Sequence, residues 1–140
     1  MPKQHIPEMP SILVVDDEPL VRGAVVRILS RHGYRVREAV TAEDAMTVLT
    51  TQAREQPLLV IIDIVLPGDS GVKLAEQIRE EFPHQRILYM SAYPADVLGA
   101  EGLRDHTEEF MPKPFTAAQL IGKVEAVLGP RGPAGTRTSG

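Results

Sequence analysis

Apolar positions recur along the chain in two alternating rhythms, and their order predicts an α/β fold. Ser11 to Val15, SILVV, and Leu58 to Ile62, LLVII, are short unbroken apolar runs of the kind required by a strand buried on both faces. Between them the spacing changes to that of a helix. Leu20, Ala24 and Ile28, with Val21, Val25 and Leu29, line one side of a helix that Pro19 can open and Gly33 can stop. Ala42, Ala45, Met46, Val48 and Leu49 mark a second helix, with Thr41 and Asp44 at its start as a capping box with a shorter acid. Val72, Leu74, Ala75 and Ile78 mark a third, ending near Phe82 and Pro83. Leu120, Ile121, Val124, Val127 and Leu128 form the apolar side of the last, where Thr116 and Gln119 make a capping box.

The other strands are weaker. Tyr34 to Ala39, YRVREA, alternates too loosely for a central position and is predicted at an edge. Arg86 to Met90 is the fourth strand and Glu109 to Met111 a brief fifth. From Ala92 to Glu108 only a short or mobile helix is expected, because Gly99 and Gly102 interrupt it, each costing roughly 1 kcal/mol against alanine. Five strands alternating with five helices predict a parallel sheet covered on both faces, a three-layer (βα)5 sandwich. Residues 1–10 read as a loose leader, 11–128 as the folded domain, and the Gly/Pro/Ser/Thr-rich 129–140 as a disordered tail.

Composition narrows the class. A length of 140 residues suits one domain and leaves no room for a second. Hydrophobic residues at 43% and charged residues at 24% are ordinary globular values, and no apolar run is long enough for a membrane span. The absence of cysteine excludes disulfides and thiolate metal sites and fits a cytoplasmic location. The first ten residues have no apolar signal core. A net charge of −4 with dispersed Lys and Arg argues against direct nucleic-acid binding.

Chemistry enters at the strand ends. The first delivers Asp16 and Asp17, the third Asp63, the fourth Ser91 and the fifth Lys113. In a parallel sheet these ends lie along one edge, where α/β folds place their ligands. Crowded carboxylates repel unless a cation intervenes, and an all-oxygen cluster suits Mg²⁺. A carboxylate can attack phosphorus to give an acyl phosphate, with metal and lysine neutralising the transferred charge. Blander readings stand beside this. Asp63 could simply cap its loop, Asp16 and Asp17 the first helix, and Lys113 could pair with a surface acid. Ser91 could be an ordinary strand-end hydroxyl and Phe110 a core aromatic.

Four motifs in order, VVDDE, IIDIVLPGDSG, MSAY and KPF, closely resemble the receiver domain of two-component response regulators, over Ile12 to Leu128. The resemblance implies a flavodoxin-like sheet of order 2-1-3-4-5. It implies Asp63 as phosphoacceptor, Asp17 as direct Mg²⁺ ligand, Asp16 as a ligand through water, and Val65 as donor of a backbone carbonyl to the metal. Lys113 becomes the phosphate-neutralising lysine, preceding a cis peptide to Pro114. Ser91 becomes the switch hydroxyl and Phe110 the switch aromatic. The implied donor is a phosphohistidine on a sensor histidine kinase or histidine phosphotransferase. The implied output is binding of a downstream protein, or homodimerisation, through the fourth helix, fifth strand and fifth helix.

On that reading the chain is not an enzyme but a phosphoacceptor that assists its own phosphorylation. It carries no output domain, whether it stands alone or belongs to a hybrid kinase. Val65 and Tyr93, apolar and aromatic, would flank the acyl phosphate and leave dephosphorylation slow. Pro112 just before Lys113 departs from the common pattern and should stiffen that loop. Three other readings compete. A phosphorylation-independent scaffold would retain the fold alone. An aspartyl-phosphate phosphatase would need a second acid where Val65 stands, and a flavin-binding module would need a phosphate loop where Asp16 to Pro19 stands.

Overall fold

A computed structural model of the chain describes residues 11–51, 55–92 and 110–129. The predicted leader, the fourth helix with Tyr93, and all of the tail after Gly129 lie outside the described residues.

Five parallel strands form one sheet: β1 (Ser11–Val15), β2 (Arg35–Ala39), β3 (Leu59–Asp63), β4 (Arg86–Ser91) and β5 (Phe110–Pro112). Their spatial order is 2-1-3-4-5, the flavodoxin-like order that the resemblance implies. β1 and β3 are buried at every position. Side chains alternate across a strand, so each run feeds two cores. Leu13, Val15, Val60, Ile62, Ile87 and Tyr89 face α2 (Ala42–Thr51) and α3 (Gly71–Glu81), whose Ala45, Leu49, Leu74 and Ile78 complete that cluster. Ile12, Val14, Leu59, Ile61, Leu88 and Met90 face α1 (Pro19–Arg31) and α4 (Ala117–Leu128) through Val25, Leu29, Leu120 and Val124. Among the described residues two helices cover each face of the sheet, and this double coverage explains why the central strands carry no polar alternation.

Edges behave as edges must. β2 carries Arg35, Arg37 and Glu38 at one margin. β5 ends in Pro112, which donates no ladder hydrogen bond and is tolerated because no strand among the described residues pairs beyond it. Helix ends follow their signals. Gly33 has φ of 89° just after α1, and Thr116 and Gln119 form the reciprocal capping box of α4. Thr41 accepts from the Asp44 amide at 3.0 Å.

Three details correct the sequence reading. Leu58 precedes β3 and is 45% exposed, although its amide donates to the Ser11 carbonyl at 2.8 Å. Leu20 lies 88% exposed among the described residues, because the α1 side chains that reach the core, Val25 and Leu29, belong to its later turns. A two-residue antiparallel ribbon, Val65–Leu66 against Asp69–Ser70, stands where the apolar pattern marks no strand, with Pro67 and Gly68 at its tip and Gly68 at φ of 65°. Ser70 then caps α3 by accepting from the Val72 amide at 3.1 Å.

Candidate functional site

Register brings the strand ends together. Asp63, the last residue of β3, sits opposite Met90, and Ser91 sits opposite Pro112, which places Lys113 directly beyond the sheet. The Lys113 amide donates to the Ser91 carbonyl at 2.8 Å, and the Lys113–Pro114 peptide is cis. Two residues that are 50 positions apart then meet: Lys113 Nζ donates to Asp63 Oδ2 at 2.8 Å. The same ammonium reaches Asp16 Oδ2 at 3.4 Å and Glu18 Oε1 at 3.3 Å. An ammonium has three donors, and here three carboxylates receive them.

Each acid is held from a second side. Asp63 Oδ1 accepts from the Val65 amide at 3.0 Å. Asp16 Oδ1 accepts from the Glu18 amide at 2.9 Å, while the Asp16 amide donates to the Ala39 carbonyl at 3.1 Å. Arg22 Nη1 donates to the Asp16 carbonyl at 2.8 Å, and Arg22 Nε to Glu38 Oε1 at 2.9 Å. Asp16, Asp63 and Ser91 are buried; Asp17 is exposed.

Burial raises the Asp16 carboxyl above its ordinary value and the neighbouring Asp63 charge adds to this, outweighing the Glu18 amide and Lys113, which oppose it. Lys113 moves the other way from what burial alone would do. Its desolvation lowers the pKa, but the hydrogen bond to Asp63 and the charges of Asp16 and Asp63 raise it overall, so it is a permanent cation at neutral pH.

Asp16, Asp17 and Asp63 each bring a carboxylate oxygen to within 4.8 Å of the others. An all-oxygen donor set with two buried carboxylates and one open side fits a hard divalent cation that keeps water ligands. Asp17, Glu18, Asp63, Val65, Ser91, Ala92 and Lys113 line a cleft of about 260 Å³ at this edge. The cleft has room for a small anion with its counter-ion.

Over residues 12–125 the sequence matches the response regulator receiver domain. The chain belongs to that family. As a receiver domain of two-component signalling it is 31% identical over 122 residues to the transcriptional regulatory protein AfsQ1 of Streptomyces coelicolor, covering 86% of this chain and 52% of AfsQ1. It is 31% identical over 118 residues to the sensor kinase CckA of Brucella abortus, covering 84% of this chain and 12% of CckA. The receiver thus spans about half the length of one relative and a small part of the other. Among solved structures, the response regulator TrrA of Thermotoga maritima, in complex with Mg²⁺ and BeF, superposes with a TM-score of 0.75 at 32% identity, covering 86% of this chain and 100% of TrrA. The receiver domain of NtrX from Brucella abortus gives 0.74 at 34% identity, covering 84% and 97%.

Asp16, Asp17, Asp63, Ser91 and Lys113 all stand at the one edge of this receiver where the sequence reading put them. Phe110 is partly buried against the cluster that holds Tyr89, and Val65 is 60% exposed at the rim. Three residues escaped that reading. Glu18 was visible as a third acid, but its contact with a lysine 95 positions away was not. Arg22 carried no signal beyond a polar position on an apolar helix. Gly71 is marked in the sequence only as the last residue of IIDIVLPGDSG, yet a Cβ there would collide with the Asp63 carbonyl and Ile62 Cγ2.

Proposed function

We propose that this receiver accepts a phosphoryl group on Asp63 from a protein phosphohistidine, in the presence of Mg²⁺. The observation that carries the reading is the placement of a charged, largely buried lysine 2.8 Å from an equally buried strand-end carboxylate, beside two further acids. In the transfer the N–P bond of the donor breaks, an O–P bond to Asp63 forms, and the released imidazole takes a proton. Asp16 and Asp17 with Asp63, and the Val65 backbone carbonyl, would hold Mg²⁺. When bound, the metal supplies charge stabilisation to the transferring oxygens. Both Asp63 oxygens are engaged in the unmodified protein, one by the Val65 amide and one by Lys113. Phosphorylation therefore makes Lys113 shift from the carboxylate to a phosphoryl oxygen, while Ser91 supplies a donor from β4 and Phe110 moves further into the core. These shifts alter the surface that a target, or a second copy, recognises.

An apolar groove of about 470 Å³ beside the site supports a protein donor. Leu20, Val21 and Ala24 of α1 and Ala92, Pro114 and Phe115 line it, with Lys113 at its end. The Val65 side chain offers no carboxylate or carboxamide to align water, so the acyl phosphate should persist well beyond seconds. The test is intact mass after incubation with Mg²⁺ and acetyl phosphate. One added phosphoryl group, abolished by Asp63→Asn and by chelation, is the expected result. No adduct under any donor, with Mg²⁺ bound, would leave the phosphorylation-independent scaffold.

A further inference from the structure

We propose that Arg22 is a positioning residue for the Asp16–Asp17 pair, acting as a strap between the end of β2 and the loop that carries both acids. The inference rests on the reading of those acids as Mg²⁺ ligands. Arg22 touches neither carboxylate. It donates Nη1 to the Asp16 backbone carbonyl at 2.8 Å, and Glu38 receives its Nε at 2.9 Å. The carbonyl it holds belongs to the peptide unit joining Asp16 to Asp17. A peptide is planar, so fixing that oxygen fixes the direction in which the Asp17 Cα leaves the strand. The other end of Asp16 is tied to the same neighbour, since its amide donates to the Ala39 carbonyl at 3.1 Å. Adjacent residues of β2 therefore hold both backbone groups of Asp16, Ala39 directly and Glu38 through Arg22.

Two features separate this from an ordinary surface ion pair. The Arg22 side chain is only 18% exposed while Glu38 is 49% exposed, so the guanidinium is seated against the loop and Glu38 orients it from outside. The arrangement also needs the fork of an arginine. A lysine has the charge, but a single ammonium on a flexible stem does not present two fixed donors in two directions. Asp17 is exposed, so the backbone beneath it is what can limit its freedom. Partners that orient metal ligands from outside typically change affinity by about 10–100-fold when removed.

The experiment is calorimetric titration of MgCl₂ into the full chain, comparing wild type with Arg22→Gln, Arg22→Lys, Glu38→Ala and the Arg22→Gln/Glu38→Ala double variant. Exchange of the Glu18 amide, which donates to Asp16 Oδ1, is followed in parallel in metal-free protein. The expected result is Mg²⁺ affinity weakened about tenfold in both Arg22 variants and less in Glu38→Ala, with no added loss in the double variant. The Glu18 amide should exchange faster in each. Wild-type affinity in Arg22→Lys would show that charge alone suffices and would overturn the strap. Unchanged affinity and exchange in Glu38→Ala would overturn it too, and that half-exposed site settles the matter if Arg22 variants fail to fold. Absence of Mg²⁺ binding to wild type would refute the metal reading instead. The Glu18 exchange rates would then decide the strap, faster exchange sustaining it and wild-type exchange refuting it.

Discussion

A methyl group at position 71 has no room, because the atoms it would meet are the Asp63 carbonyl oxygen and Ile62 Cγ2, backbone and core rather than a flexible tip. The Gly71 amide also donates to the Ile64 carbonyl at 2.7 Å, which draws the start of α3 tightly under the acid. Gly71→Ala should therefore lower stability by about 1–3 kcal/mol, the usual cost of overpacking, and reduce phosphoryl adduct on Asp63. Denaturant unfolding and intact mass check the two effects. Asp16 gives a prediction of opposite sign. Its folded pKa lies above the ordinary 3.8 because burial disfavours the anion. Ionising it in the fold thus costs stability, a cost absent below the unfolded pKa and fully developed once the pH exceeds the folded one. Metal-free Asp16→Asn should melt higher than wild type at pH 7, with the gain shrinking as the pH falls towards 4. A lower midpoint at pH 7 would mean that the attraction of Lys113 outweighs burial.

Among the elements, α1 and α4 start in different ways, and the difference tracks the site. α4 has a complete capping box, Thr116 accepting from the Gln119 amide at 3.0 Å and Gln119 Oε1 accepting in return at 2.9 Å. Thr116→Ala should cost about 1 kcal/mol in thermal or denaturant unfolding, the ordinary worth of an N-cap. α1 has Glu18 at its N-cap with no side-chain cap hydrogen bond, because the Glu18 carboxylate is turned toward Lys113. Pro19 at the first turn removes one donor that would otherwise need a partner. The helix that starts at the acids lacks the side-chain cap that α4 has.

At the scale of the molecule, no helix among the described residues is long and apolar enough to cross a membrane. An apolar groove with Leu20 at its rim lies next to Lys113. Because Leu20 is 88% exposed, Leu20→Ser should change unfolding free energy by no more than about 0.5 kcal/mol. Acetyl phosphate, which needs no docking surface, should label this variant at the wild-type rate, whereas transfer from a phosphorylated histidine phosphotransferase should slow. Equal rates with both donors would place donor docking elsewhere. Of the recognition face that the resemblance implies, β5 and α4 fall within the described residues and the predicted fourth helix does not.

Local pattern was enough for the order of elements, the parallel sheet and the residue types at its edge. Apolar runs without alternation, such as Leu13 to Val15 and Val60 to Ile62, demand cover on both faces, and only crossover helices supply it. Such a pattern encodes which side of an element is apolar, not what lies against it. Leu20 matches the helical period and is exposed, whereas Val25 and Leu29 in later turns of the same helix reach the core. Distances across the site depended on packing between segments far apart in the chain: Lys113 and Asp16 are 97 positions apart and Arg22 and Glu38 are 16 apart. Tertiary structure alone decided that one ammonium serves three acids, that Arg22 holds a carbonyl instead of a carboxylate, and that Gly71 must be bare. Each of these depends on sub-ångström placement of groups whose local sequence is compatible with many other neighbours.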